Sequence, residues 1–184
     1  ESADVPYLQE IGRLLGTRVT SYPWHPAKKE IGMQHNILGE ISADGNSDEG
    51  LARITYQGRI VEFQICGDEI HYEAAVEVAA SVATSLAELD AKAKRIAADQ
   101  LIETYNSGWN EYDEVQADGT SRTVSNPKLT RDQFAAKLTL SAVNVTGNMV
   151  DFFYNDENMF WGHAVVVNSR AGIDLTDAYA EIFG

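Results

Sequence analysis

The chain has 184 residues, with 14 Lys and Arg against 28 Asp and Glu, for a formal charge of −14 at pH 7. Hydrophobic residues make up 44% and charged residues 23%, so the chain can bury a core and reads as folded rather than disordered. Acids this far in excess exclude a general binder of nucleic-acid backbones or anionic membranes, because both surfaces would repel it.

Residues 4–16 read as a short helix: Asp4 caps it, Leu8, Ile11, Leu14 and Leu15 line one apolar face, and Gly16 ends it. Pro23 and Pro26 then hold the path around Tyr22, Trp24 and His25 extended. Residues 1–36 therefore form an N-terminal helix and extended segment, and 37–184 a single domain. A first strand is expected at 37–41, then a loop over 43–50. Ala52, Ile54 and Tyr56 alternate along one strand, and Val61, Phe63 and Ile65 along the next, with Gln57 and Gly58 as the turn between them. Asp68 is placed to cap a long Ala-rich helical region reaching about Asn106. Val78, Val82, Leu89 and Ile96 recur there at helical spacing, and a break is expected near 86–90 because one unbroken helix would exceed the usual globular length.

Residues 107–126 read as an acidic loop carrying two aromatics. Thr130 and Gln133 match a capping box, which predicts a short helix over 131–137. Apolar alternation then predicts strands around 138–145, 150–154 and 160–168, the last as a central strand. Helix, strands, helices and strands in that order give an α+β domain, with a mainly antiparallel sheet and a long helical segment packed on one face.

Cys66 is the single cysteine, so these residues form no disulfide among themselves and fit a reducing compartment. The stretch also lacks a basic start followed by an apolar signal core, and no run is long and apolar enough to span a membrane. A cytoplasmic location is expected. His25, His35, His71 and His163 are scattered without metal-ligand spacing, and there is no phosphate loop, nucleophile elbow or dinucleotide fingerprint. Neither a metal nor a cofactor is expected.

Two groups of residues stand out as candidate sites. Trp161 offers a flat apolar wall and His163 a titratable tip, which Asp156 or Asp151 would orient. Read as part of a strand, Trp161 and His163 face one way while Phe160 and Gly162 face the other. The second group is Trp109 and Tyr112 set among Glu111, Asp113, Glu114 and Asp118. Aromatic anchors ringed by acids suit a contact surface opposite a basic protein.

Several segments, taken together, carry a family resemblance. They are Leu38-Gly39-Glu40-Ile41, Ile54 to Arg59, the Ala-rich helical region, Leu129 to Phe134, Val150-Asp151-Phe152-Phe153-Tyr154, and Phe160-Trp161-Gly162-His163 after Asp156. From about residue 37 to 184 the chain resembles an uncharacterised bacterial family, domain of unknown function 2262. The resemblance implies a bacterial, cytoplasmic α+β domain and carries no reaction with it.

Size, acidity and the acidic aromatic segment point to a non-catalytic protein-binding module, of the immunity type that would neutralise a basic toxin domain. The alternative is a small enzyme or ligand-binding domain, with a pocket around Trp161, His163 and Asp156.

Overall fold

The computed structural model describes residues 30–44, 49–67 and 71–184. The helix expected over 4–16, the proline-bounded aromatics at 21–26 and the Asp68 cap lie outside the described residues.

An eight-stranded sheet organises the domain. Its first four strands are β1 (Glu30–His35), β2 (Gly39–Asp44), β3 (Glu49–Tyr56) and β4 (Arg59–Cys66), joined as an antiparallel meander. After the helices come β7 (Thr139–Thr146), β8 (Met149–Asn155), β9 (Ala164–Ser169) and β10 (Tyr179–Phe183), also antiparallel in sequence. The two halves meet where β4 pairs with β7, with Phe63 opposite Val143 and Ile65 opposite Val145. Among the described residues that pair is the sheet's one parallel contact, because the chain returns to β4's side through a helical crossover rather than a hairpin. The expected α+β class with a mainly antiparallel sheet is thus observed.

Local chemistry explains the best-defined elements. Gln57 and Gly58 adopt φ of +49° and +76°, the paired left-handed conformations that join two strands in a tight hairpin. Thr130 caps the helix α3 (Arg131–Lys137): its hydroxyl accepts from Gln133 N, and the Gln133 side chain accepts from Thr130 N. The long helical region is two helices, α1 (Tyr72–Thr84) and α2 (Leu86–Thr104), broken at Ser85, one residue before the expected interval. α1 contacts β4 and β7, while α2 contacts β9 and β10. Ala75, Ala79, Ala80, Ala93 and Ala97 are buried along these helices, where small side chains permit close approach to the strands. Val61, Phe63, Val143, Phe152, Val165 and Val167 are fully buried in the same core cluster, each contributing about 1.5–3 kcal/mol by leaving water.

Three expectations are corrected, and one strand was not expected. The first strand of the meander is β1, and 36–38 form the turn before β2, so the strand expected at 37–41 begins two residues late. Residues 107–126 hold a two-stranded ribbon, β5 (Glu111–Val115) with β6 (Ser121–Ser125), instead of a loop. Its strands are exposed and polar, so no apolar alternation announces them. The strand expected from residue 160 starts only at Ala164, and 160–163 belong to a turn. A further strand, β10, closes the sheet after a short 3-10 turn at Gly172–Asp174.

Candidate functional site

The turn between β8 and β9 is built around one carboxylate. Asp156 is buried, and its two oxygens accept from Asn158 N at 2.9 Å and Phe160 N at 2.7 Å. Asn155 adds a bond from Glu157 N to its side-chain oxygen. These bonds hold a tight path in which Glu157, Asn158, Trp161 and Gly162 all have positive φ, from +53° to +96°. For a bulky residue such as Trp161 the left-handed conformation costs about 1–2 kcal/mol, so the surroundings must over-determine it.

Aromatic packing supplies that determination. Phe160 is fully buried, with ring centroids 5.4 Å from Trp109, 6.1 Å from Tyr105 and 6.1 Å from Phe134. Trp161 turns the other way, stays 47% exposed, and lies 4.6 Å from Trp109. Tyr112, 39% exposed, stands at 68° to Trp161 with centroids 6.2 Å apart. His163 meets Trp109 edge to face at 5.6 Å. On its other side the chain end closes in: a Cβ on Gly184 would come within 2.9 Å of His163 Nδ1.

Trp109 reaches this cluster because α2 does not end in a regular turn. Tyr105–Trp109 form a π-helical turn, a widening that re-aims the side chains it carries. Asn110, buried just after it, donates from its side chain to Asn126 O at 3.0 Å, while Asn126 N donates back to Asn110 O. Asn106 forms a second clamp, donating to Leu129 O and accepting from Leu129 N. Together the two asparagines fix both ends of the ribbon's base against α2.

The aromatic residues of the two groups read from sequence therefore meet in one cluster. Trp109 from the π-helical turn, Tyr112 from the ribbon and Trp161 and His163 from the β8–β9 turn adjoin in a single aromatic cluster. Asp156 lies under this turn, with both carboxylate oxygens engaged by backbone N–H groups. Asp151 sits instead on β8 within the sheet, where burial, then the Glu181 charge, raises its pKa. The ribbon's acids divide by strand alternation. Glu111 and Asp113 accept from Ser125 Oγ and Thr123 Oγ1 across one side, whereas Glu114 shares the side of Tyr112 and lies opposite Arg122. Asp118 is at the ribbon's tip, where the hydroxyl of Thr120, and after it the Thr120 backbone N–H, holds its pKa low. Phe160, Asn106 and Asn110 were not legible as site residues. Phe160 looks like any core aromatic, and the asparagines act through backbone groups far along the chain.

Beside Trp161 runs a groove of about 610 Å³, lined by Tyr112, Asp113, Asn126, Glu157, Asn158 and Trp161. Consecutive residues Tyr112 and Asp113 both border it, so it follows the edge of the ribbon rather than one face. A second hollow of about 540 Å³ opens beyond the turn, bordered by Ser141, Asp156, Gly162 and His163 among others. No group of three or more His, Cys, Asp or Glu is placed to hold a metal ion among the described residues. No helix among them is long and apolar enough to cross a membrane.

The family model described as an uncharacterised protein conserved in bacteria, DUF2262, matches residues 35–179. The chain belongs to this family. No curated protein and no solved structure gives a significant match. The matched span contains the sheet from the end of β1 to the start of β10, both ends of the aromatic cluster and the ribbon. The match to this uncharacterised family thus covers every residue of the aromatic cluster.

Proposed function

We propose that this DUF2262 chain is a non-catalytic protein-binding module that uses Trp161 and Tyr112 as contact residues for a basic partner. Its framework is a sheet with one face covered by the helices, which holds the aromatic surface rigid at one end. One observation carries the reading: Trp161 is held half-exposed in a left-handed conformation by stacking on Trp109. A costly conformation that presents a large aromatic to solvent is what a pre-formed binding anchor requires, and Trp and Tyr are the residue types that dominate binding hot spots. The formal charge of −14 supports a basic partner, since it speeds encounter by steering. An immunity-type protein that neutralises a basic toxin domain in the bacterial cytoplasm is the specific form of this reading.

Capture from a native bacterial lysate at low salt, with Trp161→Ala in parallel, tests the proposal. A basic protein retained by the wild type, released by salt and lost from the variant is the expected result. Identical recoveries from the two would sink it.

The hollow bordered by Asp156 and His163 favours a second reading, a small enzyme or ligand-binding domain, although Trp161 lines the neighbouring groove and not this hollow. It expects His163→Ala to abolish binding of a small molecule while leaving protein capture intact.

A further inference from the structure

We infer that the groove beside Trp161 receives an arginine side chain of the partner, its guanidinium lying on the indole face. This deepens the protein-binding reading and rests on it. The groove brings together two exposed aromatic rings, two carboxylates and two carboxamides, with no cation among its lining residues. Trp161 and Tyr112 meet at 68°, so their rings form two walls of a corner. A cation over such a face gains about 0.5–1 kcal/mol when exposed and ~2 kcal/mol when desolvated.

The rim already attracts a cation. Lys137 Nζ lies 2.9 Å from Glu157 Oε2, which matches one of the two acids. Asp113 is the other; its Oδ1 accepts from Thr123 Oγ1 at 2.7 Å and no cation pairs with it among the described residues. Asn126 and Asn158 add carboxamide oxygens at the same groove. A guanidinium suits such a corner, because its plane stacks on the indole while its N–H groups donate outward in that plane to acceptors on the rim. An ammonium, a compact point charge, gains less from the flat wall.

The test is a titration of the full chain followed by NMR, reading the Trp161 indole N–H and the backbone amides of Tyr112 and Asp113. The probes are a blocked peptide of alternating arginine and glycine, its lysine counterpart, and its neutral citrulline counterpart. The arginine peptide should shift those signals, the lysine peptide should bind roughly 3-fold or more weakly, and the citrulline peptide should leave them in place. Trp161→Ala should abolish the response, and Asp113→Asn should weaken it by about 3-fold or more. Equal shifts from arginine and citrulline, or arginine shifts that survive Trp161→Ala, would overturn the inference. If a captured protein still depends on Trp161 in either case, the protein-binding reading stands and only the arginine assignment falls. If no capture depends on Trp161, both fall.

Discussion

Trp109 and Trp161 stack with centroids 4.6 Å apart, yet one ends a helical segment and the other sits in a turn between two strands. Their contact joins the end of the helical region to the β8–β9 turn. It also divides labour, since Trp109 is largely covered while Trp161 is half-exposed.

That division predicts opposite effects of truncation. Trp109→Ala removes the ring against which Phe160, Trp161 and His163 all rest, and should cost about 3–4 kcal/mol in urea denaturation. Trp161→Ala deletes a half-exposed ring and leaves the left-handed strain as it is, since Ala keeps the Cβ, so its change should stay within about 1 kcal/mol. Equal losses from the two would mean that Trp161 is a packing residue.

Asp156→Ala should destabilise by about 2–4 kcal/mol, because it orphans the N–H groups of both Asn158 and Phe160. Asp156→Asn keeps one acceptor and should lose roughly half as much. The indole signals of Trp161 in NMR should broaden in the Ala variant, as the turn that holds the ring loosens. A native Trp161 signal together with unchanged stability would refute the role given to this carboxylate.

Stability should rise at neutral pH in Asp151→Asn. Burial, with the Glu181 charge second, raises the Asp151 pKa in the folded state, so the folded form holds the proton more tightly than the unfolded chain does. Ionised Asp151 therefore costs stability above its folded pKa, and that cost fades as pH falls through this pKa toward the ordinary carboxylate value. Melting curves should show the variant ahead of the wild type at pH 7 and level with it near pH ~3. An advantage of the same size at both pH values would point to packing instead.

A polar knot between α2 and the sheet gives a further contrast. Asp90, buried, accepts from Tyr56 Oη at 3.1 Å and pairs with Lys94 Nζ at 3.0 Å, both through Oδ2. Burial first, then the Asp90 charge, holds the Tyr154 phenol well above its ordinary pKa, but its hydroxyl makes no hydrogen bond of good geometry. Tyr154→Phe should thus be neutral or stabilising by up to about 1 kcal/mol. Lys94→Met strands a buried carboxylate and should cost about 3 kcal/mol. A large loss in Tyr154→Phe would show that the hydroxyl is satisfied in solution.

Much of the fold was legible in strong local signals. The Gln57-Gly58 hairpin, the capping box at Thr130 and the paired strands at 138–145 and 150–154 follow from turn chemistry and alternation that neighbours reinforce. The ribbon at 111–125 and the turn at 160–163 were misread for opposite reasons. Polar exposed strands carry no apolar period, and the apolar 160–163 stretch looks extended although its backbone bends sharply to bury Phe160 and expose Trp161.

By itself the sequence determined the acidity, the α+β class, the residue types of both candidate sites and the family to which the chain belongs. These are properties of composition, of short-range periodicity and of motif order, which need no contact between distant residues. Tertiary structure alone decided that the aromatic residues of the two groups meet. A π-helical turn, two asparagine clamps and a buried carboxylate bring Trp109 and Trp161 together, and each acts through backbone groups that any residue provides. No local pattern encodes such a meeting, because its energy comes from packing between segments far apart along the chain.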